Sequence, residues 1–247
     1  MKFLQYQVDS FGLSDVGLTR PNNEDVFRIM NEKKFYILAD GMGGHKAGEI
    51  ASSTAVETVC TSIQALPEQA TLEKTCHHLR KSIAAANSAV YSLAKKNKAY
   101  TGMGTTLSCF TLREDTLIYG HVGDSRLYRK RHRLEQLTED HSLRHVTLTH
   151  SDQANSSPPS LLCRHVITRA IGTHSYVIPD VGVISIQPND LYMLCSDGLS
   201  DAVPLEIISE ILDPALPLEE ITLKLLNCAL EKGGNDNITI LLVKITP

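Results

Sequence analysis

Apolar residues in this chain form short dense runs in some regions and a helical periodicity in others. Residues 35–39 are a compact apolar run that stops at Asp40-Gly41, which is typical of a buried strand ending in a turn. Residues 47–65 carry Ala, Ile and Val on one side, and residues from about 72 to 98 are rich in Ala, Leu and Lys without Gly or Pro. The pattern therefore predicts a buried strand followed by two long helices.

Strand patterns dominate the rest of the chain, with turn residues between them. The predicted strands are 105–112, 116–122, about 126–130, 134–137, 181–187, 191–195 and 238–245. Helices are predicted at about 204–212, with Pro204 in the first turn, and near 218–231. Residues 143–163 are polar and contain Pro158-Pro159, which predicts an irregular loop. Many strands with few, unevenly spaced helices favour an α+β layered sandwich over a regular βαβ repeat.

Composition limits the classes of protein to which the chain can belong. Its 247 residues are 42% hydrophobic and 21% charged, as expected of a globular domain. A net charge of −4 gives no general attraction to nucleic acid or anionic membranes. The six cysteines are scattered, which fits a reducing cytosol, and no apolar run approaches the roughly 20 residues that span a bilayer. We therefore expect a soluble cytoplasmic protein without a nucleic-acid or membrane partner.

One local cluster departs from the acidic balance of the chain. It contains Arg126, Arg129, Lys130, Arg131, His132 and Arg133. The favoured interpretation is a solvated hairpin turn. A docking surface for acidic or phosphorylated partners is the alternative.

Three aspartates occur where a predicted buried strand meets a loop. Asp40 follows FYILA, Asp197 follows LYMLCS, and Asp236 precedes ITILLV. Strand ends that converge can bring such carboxylates together, and clustered carboxylates repel one another unless a cation neutralises them. Oxygen ligands favour Mg²⁺ or Mn²⁺. The alternative is that each Asp-Gly pair makes a tight turn, but two such pairs after apolar strands favour a metal site.

Eight short motifs occur in order along nearly the whole chain. They are DVGLTRPNNED (15–25), ADGMGGHKAGEIAS (39–52), GMGTT (102–106), HVGDSRLY (121–128), LTEDHS (137–142), VITRAIG (166–172), LCSDGLSD (194–201) and GGNDNITI (233–240). Together they resemble the motifs of bacterial PPM (PP2C-type) protein serine/threonine phosphatases. The resemblance implies one phosphatase domain over residues 1–247, folded as a four-layer α-β-β-α sandwich with two central antiparallel sheets.

The resemblance also implies a reaction, the metal-dependent hydrolysis of phosphoserine and phosphothreonine in proteins. A water bridging two Mn²⁺ or Mg²⁺ ions would attack phosphorus directly. Asp40 would bridge the ions, and the carbonyl of Gly41 would bind one of them, where a side chain would block the approach. Asp197 and Asp236 would complete the ligands of the first ion. Asp124 matches an aspartate that binds a third, weaker ion, and turn capping is its alternative role.

Further residues match positions around the metal centre. Arg20 matches a phosphate-binding arginine whose planar fork can hold two phosphate oxygens, and a surface ion pair with Glu24 or Asp25 is the alternative. Glu24 and Asp25 match positions that order metal-bound water. His45 matches the general acid that protonates the leaving oxygen. Structural roles are expected for His141, Thr105 and Thr106.

Residues 143–163 correspond to the flap beside the active site in this family. The stretch is polar and poor in helix formers where relatives carry an acidic, helix-forming sequence. A lid of unusual mobility is the hypothesis that follows, and substrate specificity is not carried over from relatives. The expected partners are phosphorylated proteins and a cognate serine/threonine kinase, and a monomer is expected.

Two other functions fit the same motifs. A catalytically silent module that binds phosphoproteins would have lost metal-binding aspartates, whereas all the expected ones are present. The sequence leaves open a different target for the same chemistry, such as a small phosphorylated metabolite or a phosphorylated regulator of transcription.

Overall fold

Two antiparallel β-sheets packed face to face form the centre of the molecule in the computed structural model, which describes residues 6–43, 47–143 and 166–246. Eleven strands lie in the described residues: β1 (Gln7–Asp15), β2 (Asp25–Met30), β3 (Phe35–Met42), β4 (Gly104–Thr105), β5 (Leu107–Arg113), β6 (Thr116–Val122), β7 (Arg126–Lys130), β8 (Leu134–Gln136), β9 (Asp180–Ser185), β10 (Leu191–Cys195) and β11 (Ile238–Thr246). One sheet has the order β1-β11-β10-β7-β8. The other has the order β2-β3-β5-β6-β9, with β4 beside β3.

Helices cover the outer face of each sheet. The described helices are α1 (Ala47–Gln64), α2 (Leu72–Lys96), α3 (Asp197–Ser200), α4 (Leu205–Ile211) and α5 (Leu218–Glu231). Helices α1 and α2 pack on the sheet that contains β3 and β6, and α3 to α5 pack on the sheet that contains β10 and β11. The four-layer α-β-β-α arrangement predicted from the sequence is confirmed.

The central strands are almost wholly apolar because both of their faces are buried. In β3, Phe35, Ile37 and Ala39 face the helices, while Tyr36 and Leu38 face the other sheet. Strand β11 alternates in the same way, with even-numbered residues from Ile238 towards the helices and odd-numbered residues from Leu241 between the sheets. Side chains that alternate between two buried layers give the continuous apolar runs of the sequence.

Most predicted elements match the structure within a few residues, but three differ. Strand β3 does not end at Asp40; it continues through Gly41 to Met42, because Asp40 pairs with Asp25 of β2 and Gly41 pairs with Thr105 of β4. Strands β1 and β2 were not predicted. Both lie at sheet edges, and most of their residues are only partly buried, so the apolar pattern there is weak.

Two predictions about longer segments have different outcomes. Of the flap at 143–163, all but Leu143 lies outside the described residues. Within the described part of the chain, no helix combines the length and apolar character needed to cross a bilayer.

The basic cluster at 126–133 includes the predicted hairpin between β7 and β8, and most of its cations contact the chain itself. Arg126 pairs with Asp140, Arg129 with Glu135, and Arg131 with Asp190. Lys130 donates to the carbonyl and hydroxyl of Ser209. These contacts agree with the solvated hairpin and leave little of the cluster available as a docking surface.

The Arg131–Asp190 pair is the most buried of these contacts. The guanidinium donates to both oxygens of Asp190 at 2.6 and 2.7 Å, and the Asp190 side chain is 0% exposed. Burial raises the pKa of Asp190, but hydrogen bonds from Arg131, the Gln187 N–H and the Tyr192 hydroxyl lower it below its ordinary value. Asp190 therefore stabilises the fold in its charged form.

Replacing Arg131 by Met should reduce the free energy of unfolding by about 3 kcal/mol at pH 7, because a buried carboxylate loses its cation. Arg129→Met, which breaks the more exposed pair with Glu135, is the control and should cost less than about 1 kcal/mol. The charged Asp190 side chain adds to the free energy of unfolding above its unfolded pKa of about 4. This stabilisation is lost as the pH falls through the lower pKa of Asp190 in the folded protein. Urea titrations at pH 7 and pH 3 test this, and equal losses for the two variants would contradict it.

Candidate active site

The predicted site residues converge at one end of the gap between the two sheets. Asp25 of β2 and Asp40 of β3 stand directly opposite each other in the antiparallel ladder. By strand alternation Asp40 lies on the same face as Leu38, which points towards the other sheet. From that other sheet, Ser196, the residue after β10, donates to Asp25 Oδ2 at 2.8 Å. The two sheets are therefore joined at the position where the carboxylates collect.

Asp197 and Asp236 reach the same end from the sheet that contains β10 and β11. Asp197 is the first residue of α3, directly after β10, and Asp236 lies two residues before β11 begins. Strands β10 and β11 are adjacent, and their pairing ends at Cys195 and Ile240, next to these aspartates. Three carboxylates far apart in sequence are thus brought together by the topology of two sheets.

The charges of these carboxylates influence one another strongly. Burial, followed by the charges of Asp25, Asp197, Asp124 and Asp236, raises the pKa of Asp40 well above its ordinary value. Burial raises the pKa of Asp25 to about 7 against hydrogen bonds from Thr239 and Ser196, and the charges of Asp197 and Asp236 add to the rise. A set of acids that suppress one another's ionisation is the arrangement that a bound cation relieves.

Asp124 belongs to the same electrostatic group. It lies between β6 and β7, and burial together with the charges of Asp197, Asp140 and Asp201 raises its pKa to about 7. It follows Gly123, whose φ of +113° is a conformation that favours glycine. The loop thus places a fifth carboxylate near Asp40 and Asp197.

Arg20 supplies a cation to this cluster. Its Nη2 donates to Asp236 Oδ2 at 2.7 Å, and the two side chains are 52% and 36% exposed. The alternative of an ion pair with Glu24 or Asp25 is wrong, because the partner is Asp236. The predicted phosphate-binding residue and a predicted metal ligand are therefore in direct contact.

The oxygen donors fit a hard divalent cation by their chemistry, since buried carboxylates are the ligands that Mg²⁺ and Mn²⁺ prefer. Across the described ranges, however, no three His, Cys, Asp or Glu side chains form a group that could hold a metal ion in their present positions. The second oxygen of Asp236 is also engaged, since it accepts the Asn237 N–H at 2.8 Å. Both oxygens of Asp236 thus accept hydrogen bonds in this arrangement, one from Arg20 and one from the Asn237 N–H.

Close backbone packing around Gly41 leaves no room for a side chain. A Cβ at this position would collide with the backbone carbonyl of Gly48 in α1 and with that of Glu24. The Gly41 N–H donates to the Glu24 carbonyl at 3.1 Å, and the Ser52 hydroxyl donates to the same oxygen at 2.6 Å. Close packing of β3 against α1 and the Glu24 backbone therefore requires glycine here, whether or not a cation binds.

Two threonines assigned to sheet packing also hold the backbone of Asp40. The Asp40 N–H donates to Thr106 Oγ1 at 2.9 Å, and the Asp40 carbonyl accepts from the Thr106 N–H and the Thr105 hydroxyl at 2.8 Å each. Thr106 Oγ1 also lies 2.7 Å from Ser125 Oγ, beside Asp124. Both threonines therefore support the site by holding the backbone of Asp40.

Asn237 also supports the site, and it was not among the residues predicted from the sequence. Its Oδ1 accepts the Glu24 N–H at 2.8 Å, and its Nδ2 donates to the carbonyls of Val16 and Asn22 at 3.0 Å each. This buried amide fixes the loop that carries Arg20 to the start of β11. Its position in the motif GGNDNITI was the available signal.

The remaining predicted residues have separate outcomes. The Glu24 carboxylate accepts from Asn22 Nδ2 at 3.1 Å and touches the Cα of Gly48 closely enough that a Cβ there would collide with it. His45 lies outside the described residues.

A cavity of about 360 Å³ opens beside the carboxylates, and its lining consists of Asp197, Gly198, Asp201, Ala202, Lys232, Asn235 and Asp236.

The chain is similar to known proteins along most of its length. A family model described as Protein phosphatase 2C matches residues 20–241. The Serine/threonine phosphatase stp of Listeria monocytogenes is 36% identical over 235 residues, which cover 94% of this chain and 93% of that protein.

Two solved structures are similar along their whole length. Serine/threonine phosphatase Stp1 from Staphylococcus aureus has a TM-score of 0.90 and 31% identity, covering 98% of this chain and 96% of that one. The catalytic domain of the serine threonine protein phosphatase PstP in complex with 2 manganese ions has a TM-score of 0.84 and 33% identity, covering 98% and 100%.

Replacing Thr106 by Val should cost about 1–3 kcal/mol of stability, because the buried Asp40 N–H and Ser125 hydroxyl lose a partner. Hydrogen exchange of the Asp40 amide should become faster. Thr111→Val is the matched control, because Thr111 is equally buried on β5 but donates only a 3.3 Å bond to the Lys33 carbonyl, far from Asp40. Unchanged Asp40 exchange in Thr106→Val would contradict the assignment.

Proposed function

The chain belongs to the bacterial branch of the protein phosphatase 2C family, and from this premise we propose that it hydrolyses phosphoserine and phosphothreonine in proteins. The observation that carries the proposal is the convergence of Asp25, Asp40, Asp124, Asp197 and Asp236 at one end of the inter-sheet gap, with Arg20 beside them. Members of this family are metal-dependent, and the charges that raise the pKa values of Asp25, Asp40 and Asp124 suit a cation site.

We propose that Asp40, the Gly41 carbonyl, Asp197 and Asp236 hold two Mn²⁺ or Mg²⁺ ions, and that Asp124 serves a third. When bound, such ions lower the pKa of water and stabilise charge on phosphoryl oxygens. Glu24 and Asp25 lie beside these ligands and would orient water by accepting its hydrogen bonds. Bound cations would also relieve the repulsion that raises the pKa values of Asp25, Asp40 and Asp124.

Arg20 is proposed to hold the phosphate group. Its guanidinium can donate to two phosphate oxygens at once and stabilise the charge that builds on them. In the structure one of its five N–H donors is engaged by Asp236 at 2.7 Å. The Arg20 side chain is half exposed, which allows a phosphate to reach the guanidinium.

His45 is proposed as the general acid that protonates the leaving serine or threonine oxygen. Histidine titrates near neutral pH, which suits proton transfer to an alkoxide. The support for this role is its position in the motif ADGMGGHKAGEIAS, five residues after Asp40.

A protein substrate is favoured over a small metabolite by the space around the site. A second cavity, of about 590 Å³, shares Asp201 and Ala202 with the one beside the carboxylates. It runs between the segment 136–142 and the start of α4, and its walls include apolar Val203 and Leu205. Such a cleft can accept residues that flank a phosphorylated side chain. The proposed partners are phosphoproteins and a cognate serine/threonine kinase, with the chain as a monomer in the cytoplasm, where free cysteines persist.

Mn²⁺ or Mg²⁺ should be required for hydrolysis of a phosphothreonine peptide, and Asp40→Asn should reduce kcat/KM by more than about 100-fold, since outer-shell changes alone cost 10–100-fold. Because the pKa of Asp40 is raised in the fold, its charged form destabilises the metal-free protein at pH 7. Asp40→Asn should therefore unfold at a higher temperature than the parent in chelator.

Asp9→Asn, at an exposed position of β1, is the matched control for loss of a carboxylate charge. Full activity in excess chelator would sink the proposed metal-dependent reaction. A protein that binds the phosphopeptide without releasing phosphate would instead be the silent binding module.

Arg20→Lys should lower kcat/KM by about 10–100-fold with little change in stability, because an ammonium cannot replace a planar two-pronged donor. The measurement is steady-state hydrolysis with saturating Mn²⁺, and Arg28→Lys on β2 is the control. A Lys variant with parental kinetics would show that Arg20 serves only as the partner of Asp236.

A further inference from the structure

His141 is buried at 7% exposure and holds Gly123 from two sides. Its ring Nδ1 accepts the Gly123 N–H at 3.0 Å, and its own backbone N–H donates to the Gly123 carbonyl at 2.7 Å. Gly123 immediately precedes Asp124. The peptide unit that leads into Asp124 is therefore fixed by a single residue of a distant segment.

The ring of His141 is itself oriented by a carboxylate. Its Nε2 lies 2.9 Å from Asp180 Oδ2, at the start of β9, and Arg169 Nη1 donates to Asp180 Oδ1 at 2.8 Å. Arg169 Nη1 also lies 3.0 Å from His141 Nε2, and a guanidinium can only donate, so Arg169 and Asp180 favour opposite tautomers of the ring. The Gly123 N–H decides between them, because it requires Nδ1 as its acceptor and so places the proton of a neutral ring on Nε2, towards Asp180. A carboxylate only accepts hydrogen bonds, so it keeps the proton on Nε2 and leaves Nδ1 with a lone pair for Gly123.

A second buried histidine supports the other side of Asp124. The His121 ring packs against that of His141 at a tilt of 40°, with ring centroids 4.8 Å apart. Ser108 Oγ lies 2.8 Å from His121 Nδ1 and 2.9 Å from the carbonyl of Ser125, the residue after Asp124. Gly123 is thus held by His141, and Ser125 is held by Ser108, which contacts His121.

We propose that His141, oriented by Asp180, is a positioning residue for Asp124, and that its neutral Nε2–H tautomer sets the direction in which the Asp124 carboxylate enters the site. The inference rests on the proposed function, in which Asp124 serves a cation. Burial lowers the pKa of His141, which agrees with a neutral ring. Partners that orient metal ligands through hydrogen bonds affect metal affinity and activity by about 10–100-fold.

Three variants separate positioning from simple packing. His141→Phe removes the acceptor for Gly123 but keeps a buried ring. His141→Asn places an amide oxygen near the position of Nδ1 and restores the acceptor while losing the contact with Asp180. Asp180→Asn keeps the shape but can donate as well as accept, so it permits the other tautomer. His77→Phe, at an exposed position on α2, and Asp9→Asn are the matched controls.

We expect His141→Phe to reduce kcat by about 10–100-fold with KM nearly unchanged, and to weaken only the weakest Mn²⁺-binding event in titration calorimetry. His141→Asn should recover kcat to within a few-fold of the parent. Asp180→Asn should lose only a few-fold, because Asp180 is 47% exposed and water screens its contact with the ring.

Nuclear magnetic resonance of the metal-free protein gives a readout that is independent of phosphatase activity. The His141 nitrogens should show a single Nε2–H tautomer in the parent and a mixture in Asp180→Asn. The Gly123 amide should exchange slowly in the parent and in His141→Asn, and quickly in His141→Phe. Equal losses of activity for the Phe and Asn variants, or unchanged Gly123 exchange in His141→Phe, would overturn the proposal. If the chain has no phosphatase activity, the proposed function fails, and the tautomer and exchange measurements still test the role of His141.

Discussion

Mutual repulsion among clustered carboxylates is the constraint around which this molecule is organised. Asp25 and Asp40 face each other across a ladder, and Asp124, Asp197 and Asp236 add charge to the same region. In an unfolded chain these five carboxylates would move apart and be solvated separately. Here each aspartate is attached to the end of a strand or to a tight loop whose backbone is fixed by hydrogen bonds, so separation would require the sheets themselves to move.

The sheets resist that movement because they are buried on both faces. Helices α1 and α2 cover one sheet, α3 to α5 cover the other, and an apolar layer containing Tyr36, Phe110 and Tyr192 fills the gap between them. The Phe110 ring centroid lies 4.9 Å from that of Tyr36 in the same sheet and 5.8 Å from that of Tyr192 in the other sheet, so one aromatic contact crosses the gap. The stability of the apolar layers thus holds charged groups in an arrangement that is unfavourable by itself.

The sequence allowed the layered fold to be predicted because strands with two buried faces leave dense apolar runs, as in Phe35–Ala39 and in β11. Edge strands β1 and β2 were missed, since their partly buried residues carry no such signal. Asp40, Asp197 and Asp236 could be selected because each borders an apolar run, and Asp25 and Asp124 because they lie in the family motifs. The contacts that support them could not, because Thr106, Asn237 and His141 act through partners 66, 213 and 18 residues away. The Arg20–Asp236 pair was also beyond reach, since it depends on how two loops meet across 216 positions.

The Arg20–Asp236 contact has a consequence for how ligands communicate in this protein. In the proposed function the guanidinium that pairs with Asp236 also receives phosphate, so a cation on Asp236 and an anion on Arg20 would favour each other's binding. Thermodynamic reciprocity then requires that the anion strengthen cation binding by the same factor by which the cation strengthens anion binding. In the proposed function the ion pair would compete with both ligands, and a single contact of 2.7 Å would then couple their binding.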